Sequence, residues 1–207
     1  MSALPTSAAD FETGYVAYQK GDFEGAAKEW LDLAKEGHSK AQYNLGILFD
    51  QGKGVVQDRA EAVRWWRRSA ESGFQMAQHN LANAYISGDG VKQSYVDAIK
   101  WLERASESGL NRSRHTLGKM YLYGLGVAKD AKRAVALFKD AAEAGLDKAQ
   151  YNLAKAYRDG DGTKQDDILS VKWFRRAAEQ GYAKAQSHLA TRYVRGQGIE
   201  SDLVEAF

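Results

Sequence analysis

The chain has 207 residues, 44% of them hydrophobic and 11% aromatic, with one proline, no cysteine and a formal charge of +2. That composition excludes disulfides and thiolate metal sites, offers no global positive field for nucleic acid, and leaves every segment after Pro5 free to be helical. No apolar run approaches the roughly 20 residues that a membrane-spanning helix needs, so neither nucleic acid nor membrane insertion is expected.

The first segment, residues 1–9, is small and uncharged and is expected to be disordered. Its Ser7-Ala8-Ala9 also fits a small-residue cleavage site, which favours a periplasmic or secreted protein with its signal peptide removed and leaves a cytoplasmic one open. Residues 10–38 follow, with Gly14, Tyr18, Ala26, Trp30 and Ala34 at helical spacing around a short Gly21-Asp22 loop.

From residue 39 the sequence repeats every 36 residues. Ala41, Leu45, Phe49, Gly52, Gly54, Ala62, Trp66 and Gly73 reappear as Ala77, Leu81, Tyr85, Gly88, Gly90, Ala98, Leu102 and Gly109, and again in two further units. The boundaries are 39–74, 75–110, 111–146, 147–182 and a partial 183–207. A fixed period of this length predicts an all-α solenoid of stacked supersecondary units. The last unit stops at Phe207 and leaves an apolar face beside Leu189, Tyr193 and Leu203, so a longer repeat protein, or docking of that end on a second copy, is expected.

Within a unit, Ala41, Leu45, Leu48 and Phe49 give helix A a narrow apolar stripe, with Gly46 admitting a close neighbour. Gly52 ends the helix, and Asp58 stands three residues before Glu61, a capping-box spacing that starts helix B; Ser94 with Asp97 and Asp202 with Glu205 repeat it. Helix B turns Ala62, Trp65 and Trp66 inward. Each unit is thus an αα-hairpin that must lean on the next. Trp65, Trp101 and Trp173 could serve as stacking platforms, but recurrence at the repeat spacing favours packing.

The pattern from Gly124-Leu125-Gly126-Val127 through Gly145, with Ala149-Gln150-Tyr151-Asn152-Leu153, resembles the Sel-one-like repeat (SLR) family, a relative of the tetratricopeptide repeats with a longer intra-hairpin loop. Residues 10–38 look like an ordinary tetratricopeptide unit and form the expected N-terminal capping hairpin. The resemblance implies a right-handed superhelix with helices A on the concave side, acting as a scaffold that binds other proteins. Some bacterial members are cysteine-rich and have been linked to β-lactams; the absence of cysteine sets that subgroup aside.

On such a scaffold the positions that vary between units carry the function. Helix A offers Lys40, Tyr43, Asn44 and Ile47 in the first unit, then Met76, His79, Asn80 and Asn83, then Arg112, His115, Lys119 and Tyr123, then Lys148, Tyr151, Asn152, Lys155 and Arg158, then Lys184 and Arg195. Arg192 stands at the edge of this set, and Asp50 and Asp159 are its acids. The cations concentrate from the third unit onward, while the first two units offer Tyr43, Ile47, Met76, His79 and Ile86, which predicts a partner acidic at one end and apolar at the other, unless the cations only solubilise the face. Tyr43, His79, His115, Tyr151 and Ser187 share one position, too far apart for two histidines to share a metal. Asn44, Asn80 and Asn152 recur one step on and resemble asparagines that hold a peptide backbone in tetratricopeptide domains, or else bond adjacent helices.

The expected function is a non-enzymatic scaffold that holds an acidic or extended segment of a partner protein, without cofactor or metal. An anionic polysaccharide is the alternative ligand, with Tyr123 and Tyr151 as stacking surfaces. A cell-wall or β-lactam hydrolase is disfavoured, because no serine recurs beside a base and an orienting acid.

Overall fold

The computed structural model describes residues 10–198. The expectations for residues 1–9, for the Asp202 and Glu205 cap and for the apolar end around Leu203 and Phe207 lie outside the described residues. Among the described residues there are eleven helices and no strand: α1 Phe11–Gln19, α2 Phe23–Lys35, α3 Ser39–Gln51, α4 Arg59–Glu71, α5 Gln75–Ser87, α6 Tyr95–Glu107, α7 Asn111–Tyr123, α8 Ala131–Glu143, α9 Asp147–Asp159, α10 Asp167–Glu179 and α11 Ala183–Arg195. Odd-numbered helices from α3 are the helices A of the repeats. None of the described helices is long and apolar enough to cross a membrane. Contacts divide the chain into two units, Met1–Ala105 and Ser106–Phe207.

In the first unit, Trp30, Leu45 and Leu48 are buried with Ala26, Ala34, Ala41 and Trp65, and a second cluster joins Ala62, Val63, Trp66, Ala77 and Leu81. Large side chains meet small ones across each hairpin. A Cβ on Gly46 would come within 2.5 Å of the Trp66 indole, whose Nε1 donates to the Tyr43 carbonyl at 3.2 Å. Trp30 uses Gly14 in the same way and donates to Phe11. In the second unit Phe138 lies against Gly118, and Phe138, Leu153 and Phe174 are fully buried.

Side-chain caps start the helices B. Asp22, Asp58, Asp130 and Asp166 each accept from the backbone N–H three residues on, at 2.9, 2.9, 2.9 and 2.8 Å, and Ser94 accepts from Asp97 at 3.2 Å. The reciprocal half of the expected capping box at Asp58 does not form: Glu61 pairs with Arg64. The Asp58 N–H donates across the hairpin to the Phe49 carbonyl at 3.0 Å, as Ser94, Asp130 and Asp166 do to Tyr85, Tyr121 and Tyr157. One residue therefore caps helix B and ties it to helix A.

Successive hairpins are joined by two devices. Gln42, Gln78, Gln150 and Gln186 donate their side-chain amides to the carbonyls of Ala34, Ala70, Ala142 and Ala178 in the preceding helix B, at 3.0 to 3.3 Å. In four of the loops the second glycine abuts the first residue of the preceding helix B: a Cβ on Gly90 would stand 2.2 Å from the Arg59 carbonyl oxygen. Gly54 meets Phe23, Gly162 meets Ala131 and Gly198 meets Asp167 in the same way. These glycines are seams between repeats as well as turns.

The tryptophans behave as packing residues. Trp65 and Trp173 are buried, Trp101 half-buried, and each has an arginine one turn later over its ring: Arg68 at 4.7 Å, Arg104 and Arg176 at 4.8 Å. Where the third repeat has Leu137 in place of the ring, Asp140 replaces the cation.

Candidate binding site

Among the described residues, three junctions between a helix A, its own helix B and the next helix A hold equivalent cavities. Between α3, α4 and α5 the cavity is about 400 Å3, lined by Ile47, Asp50, Gln51, Arg59, Trp66, Asn80, Asn83, Ala84, Ser87 and Asp89. Between α1, α2 and α3 it is about 90 Å3; Tyr15, Tyr18 and Trp30 hold the places of Ile47, Asp50 and Trp66, while Asn44 and Ile47 hold those of Asn80 and Asn83. In the second unit, two periods on from α3, α7, α8 and α9 enclose about 160 Å3. There Tyr123, Phe138, Asn152, Lys155, Asp159 and Asp161 replace Gln51, Trp66, Asn80, Asn83, Ser87 and Asp89. The aromatic floor persists while the walls change from apolar to carboxylate-rich to mixed.

Several expected contact residues stand at these junctions. Asn44, Ile47, Asn80 and Asn83 line cavities in the first unit, and Tyr123, Asn152 and Lys155 line the one in the second. Lys40, Arg112, Lys119, Lys148, Lys184 and Arg195 are exposed, whereas Met76 and His79 are half-buried. The shared position of Tyr43, His115 and Tyr151 is largely taken up by packing. Tyr43 sits edge-on to Phe74 at 5.2 Å, His115 lies 5.7 Å from Phe138, and Tyr151 lies 5.8 Å from Phe174 and 5.2 Å from Tyr182. The Nε2 of His115 stands 2.8 Å from the Asn152 amide, so this asparagine also bonds a neighbouring helix.

Two cations differ from the sequence reading. Arg158 is not a free charge: it donates twice to Asp159, at 2.6 and 2.7 Å, which holds the Asp159 carboxyl below the usual carboxylate range. Arg192 is only 6% exposed and pairs with Asp167 at 2.5 Å. It takes the place of Leu48, Ala84, Met120 and Ala156, so it lies in the core and not at the edge of the binding face. Counting four periods from Leu48 would have found it.

His188 escaped the sequence reading altogether. It stacks on Phe174 at 5.1 Å and meets Tyr151 at 5.7 Å, with Arg158 Nη1 3.4 Å from its Nδ1. A guanidinium only donates, so Nδ1 accepts and the ring proton sits on Nε2. Burial pushes this imidazole below the ordinary histidine value, and the positive charges of Arg158, Lys155 and Arg192 lower it further. Burial likewise raises the Tyr151 hydroxyl.

The repeated frame has a match among known families. The Sel1 repeat model covers residues 39–74, 75–110, 114–146, 147–182 and 183–207. The chain belongs to the Sel1 repeat family. Sel1 repeat proteins are generally protein-interaction scaffolds and typically lack catalytic activity. Among solved structures, the chain is similar to a protective antigen of uropathogenic Escherichia coli strains displaying an SLR fold, at 33% identity and a TM-score of 0.90 over 95% of this chain and 43% of that one. It is also similar to a Sel1 repeat protein from Oxalobacter formigenes, at 31% identity and a TM-score of 0.88 over 95% of this chain and 81% of that one. An immunity protein from Pseudomonas aeruginosa shares the fold at 19% identity, with a TM-score of 0.58 over 98% of this chain and 81% of that one. No curated protein matches the chain.

Proposed function

We propose that this Sel1 repeat chain is a non-enzymatic scaffold whose helices A hold a segment of a partner protein, acidic where it meets α7, α9 and α11. The observation that carries the reading is the recurrence of one cavity on a constant aromatic floor with different walls, because a fixed frame with variable lining supports selection of side chains rather than one chemistry. The acidic preference rests on the exposed Arg112, Lys119, Lys148, Lys184 and Arg195 together with Lys155. Such cations add little to stability individually, yet arrayed on one face they raise the local potential and favour complementary ligands.

Lys119→Glu, Lys155→Glu and Lys184→Glu combined test this. Binding of a labelled aspartate- and glutamate-rich peptide, followed by anisotropy, should weaken at least tenfold with Tm preserved, and wild-type affinity should fall as salt rises. Equal affinity in both proteins rejects the acidic-segment reading. Tighter binding by an acidic glycan than by the peptide would transfer the face to polysaccharide.

A further inference from the structure

The two cavities of the first unit are neighbours with opposite character, and Ile47 lines both. The α1–α3 cavity is walled by Tyr15, Tyr18 and Trp30, with the Trp30 N–H already committed to the Phe11 carbonyl. Its volume of about 90 Å3 is below the roughly 150 Å3 of an apolar cavity that takes up benzene, which suits a short aliphatic side chain better than an aromatic one. The α3–α5 cavity carries the carboxylates of Asp50 and Asp89 with one cation, Arg59, between them. That guanidinium reaches Asp50 at 3.8 Å and Asp89 at 3.5 Å, one long contact to each. The trio keeps a net negative charge, and oxygens on both carboxylates stay available to another donor.

Resting on the scaffold reading above, we propose that the first unit recognises an extended polypeptide carrying a short aliphatic residue and an arginine or lysine three positions apart. The aliphatic side chain enters the α1–α3 cavity, and the cation enters the α3–α5 cavity between Asp50 and Asp89. Spacing selects the conformation. Neighbouring packed helices stand about 8–10 Å apart. A polyproline II strand rises about 3.1 Å per residue with three residues per turn, so positions i and i+3 point the same way about 9 Å apart. A β-strand alternates its faces and cannot present i and i+3 together. Charge selects the second residue, since a basic group meets two carboxylates with one competing cation, whereas an acidic group meets net repulsion.

The test is selection of a randomised twelve-residue peptide library displayed on phage, against the wild-type chain and the Asp50→Asn, Asp89→Asn double variant, each checked for wild-type Tm. The wild type should enrich a basic residue three positions from Val, Leu or Ile. A synthetic peptide carrying that pair should lose about tenfold in affinity when its basic residue becomes glutamine, the scale of a hydrogen bond to a charged group. In the double variant that preference should disappear. Enriched peptides with no basic preference, or a preference that survives the double substitution, overturn this inference and leave the scaffold reading standing. Failure of the wild type to enrich any peptide overturns both.

Discussion

Position 188 holds a histidine where earlier repeats carry Asn44, Asn80 and Asn152, and that difference has a pH signature. In the unfolded chain this imidazole takes up its proton as pH falls through about 6.5. In the folded chain, burial and three nearby cations keep it neutral to lower pH, with Asp159 the opposing charge. The unfolded state then binds more protons, so stability is lost as pH falls from the ordinary histidine range through the depressed one. His188→Asn, which restores the residue of the first, second and fourth repeats, should flatten the fall in Tm between about pH 7.5 and 5 relative to wild type. Parallel Tm curves for the two proteins would show that His188 does not contribute. Asp159 acts at lower pH: its carboxyl is depressed by Arg158, so its contribution is present at neutral pH and lost as pH falls through that lowered value.

At the scale of the element, the loop glycines separate two roles that the sequence presents identically. Gly73 and Gly90 both have positive φ, 88° and 69°, but nothing lies within 4 Å of a Cβ on Gly73 whereas one on Gly90 strikes the Arg59 carbonyl. Gly73→Ala should cost roughly 1–2 kcal/mol, the penalty of a left-handed L-residue. Gly90→Ala should cost a further ~1–3 kcal/mol, because a seam between hairpins must also open. Urea denaturation checks the difference; equal losses would mean that the loop shifts freely. Helix ends and the inward face of α4 were legible because they depend on local chemistry: an αL glycine at Gly52, an aspartate at Asp58, a 3.6-residue stripe. The bond from Asp58 to Phe49 and the Gln42 and Gln78 staples were not, since each joins groups whose proximity exists only once the hairpins have packed.

At the scale of the molecule, a repeat array has stability that is the sum of local hairpins and the contacts between neighbours, so damage should stay near its origin. Phe174 is fully buried and packs on Tyr151 and His188. Phe174→Ala should cost about 3–5 kcal/mol, and native-state hydrogen exchange should show lost protection in α9, α10 and α11 while α2, α3 and α4 keep theirs. Uniform loss along the chain would instead mark one cooperative body. The 36-residue period made the solenoid and the variable positions of helix A readable, because packing repeats and recognition need not. Charge was less readable: Arg158 and Arg192 count as cations in a sequence, yet Asp159 neutralises one and the core encloses the other. Of the two carboxylates around Arg59, Asp50 was read as an acid of helix A, whereas Asp89 escaped notice because it lies in a loop that becomes part of a cavity only through the fold.

The glycine seams also bear on how such a chain can grow or shrink. Gly90 is inherited with one repeat and its docking surface at Arg59 with the repeat before it. A tandem duplication or deletion of a whole period recreates that match wherever its breakpoints fall, whereas a change of any other length mates a loop with a foreign helix start. Selection on this contact alone would hold the copying unit at one period and let the number of copies drift.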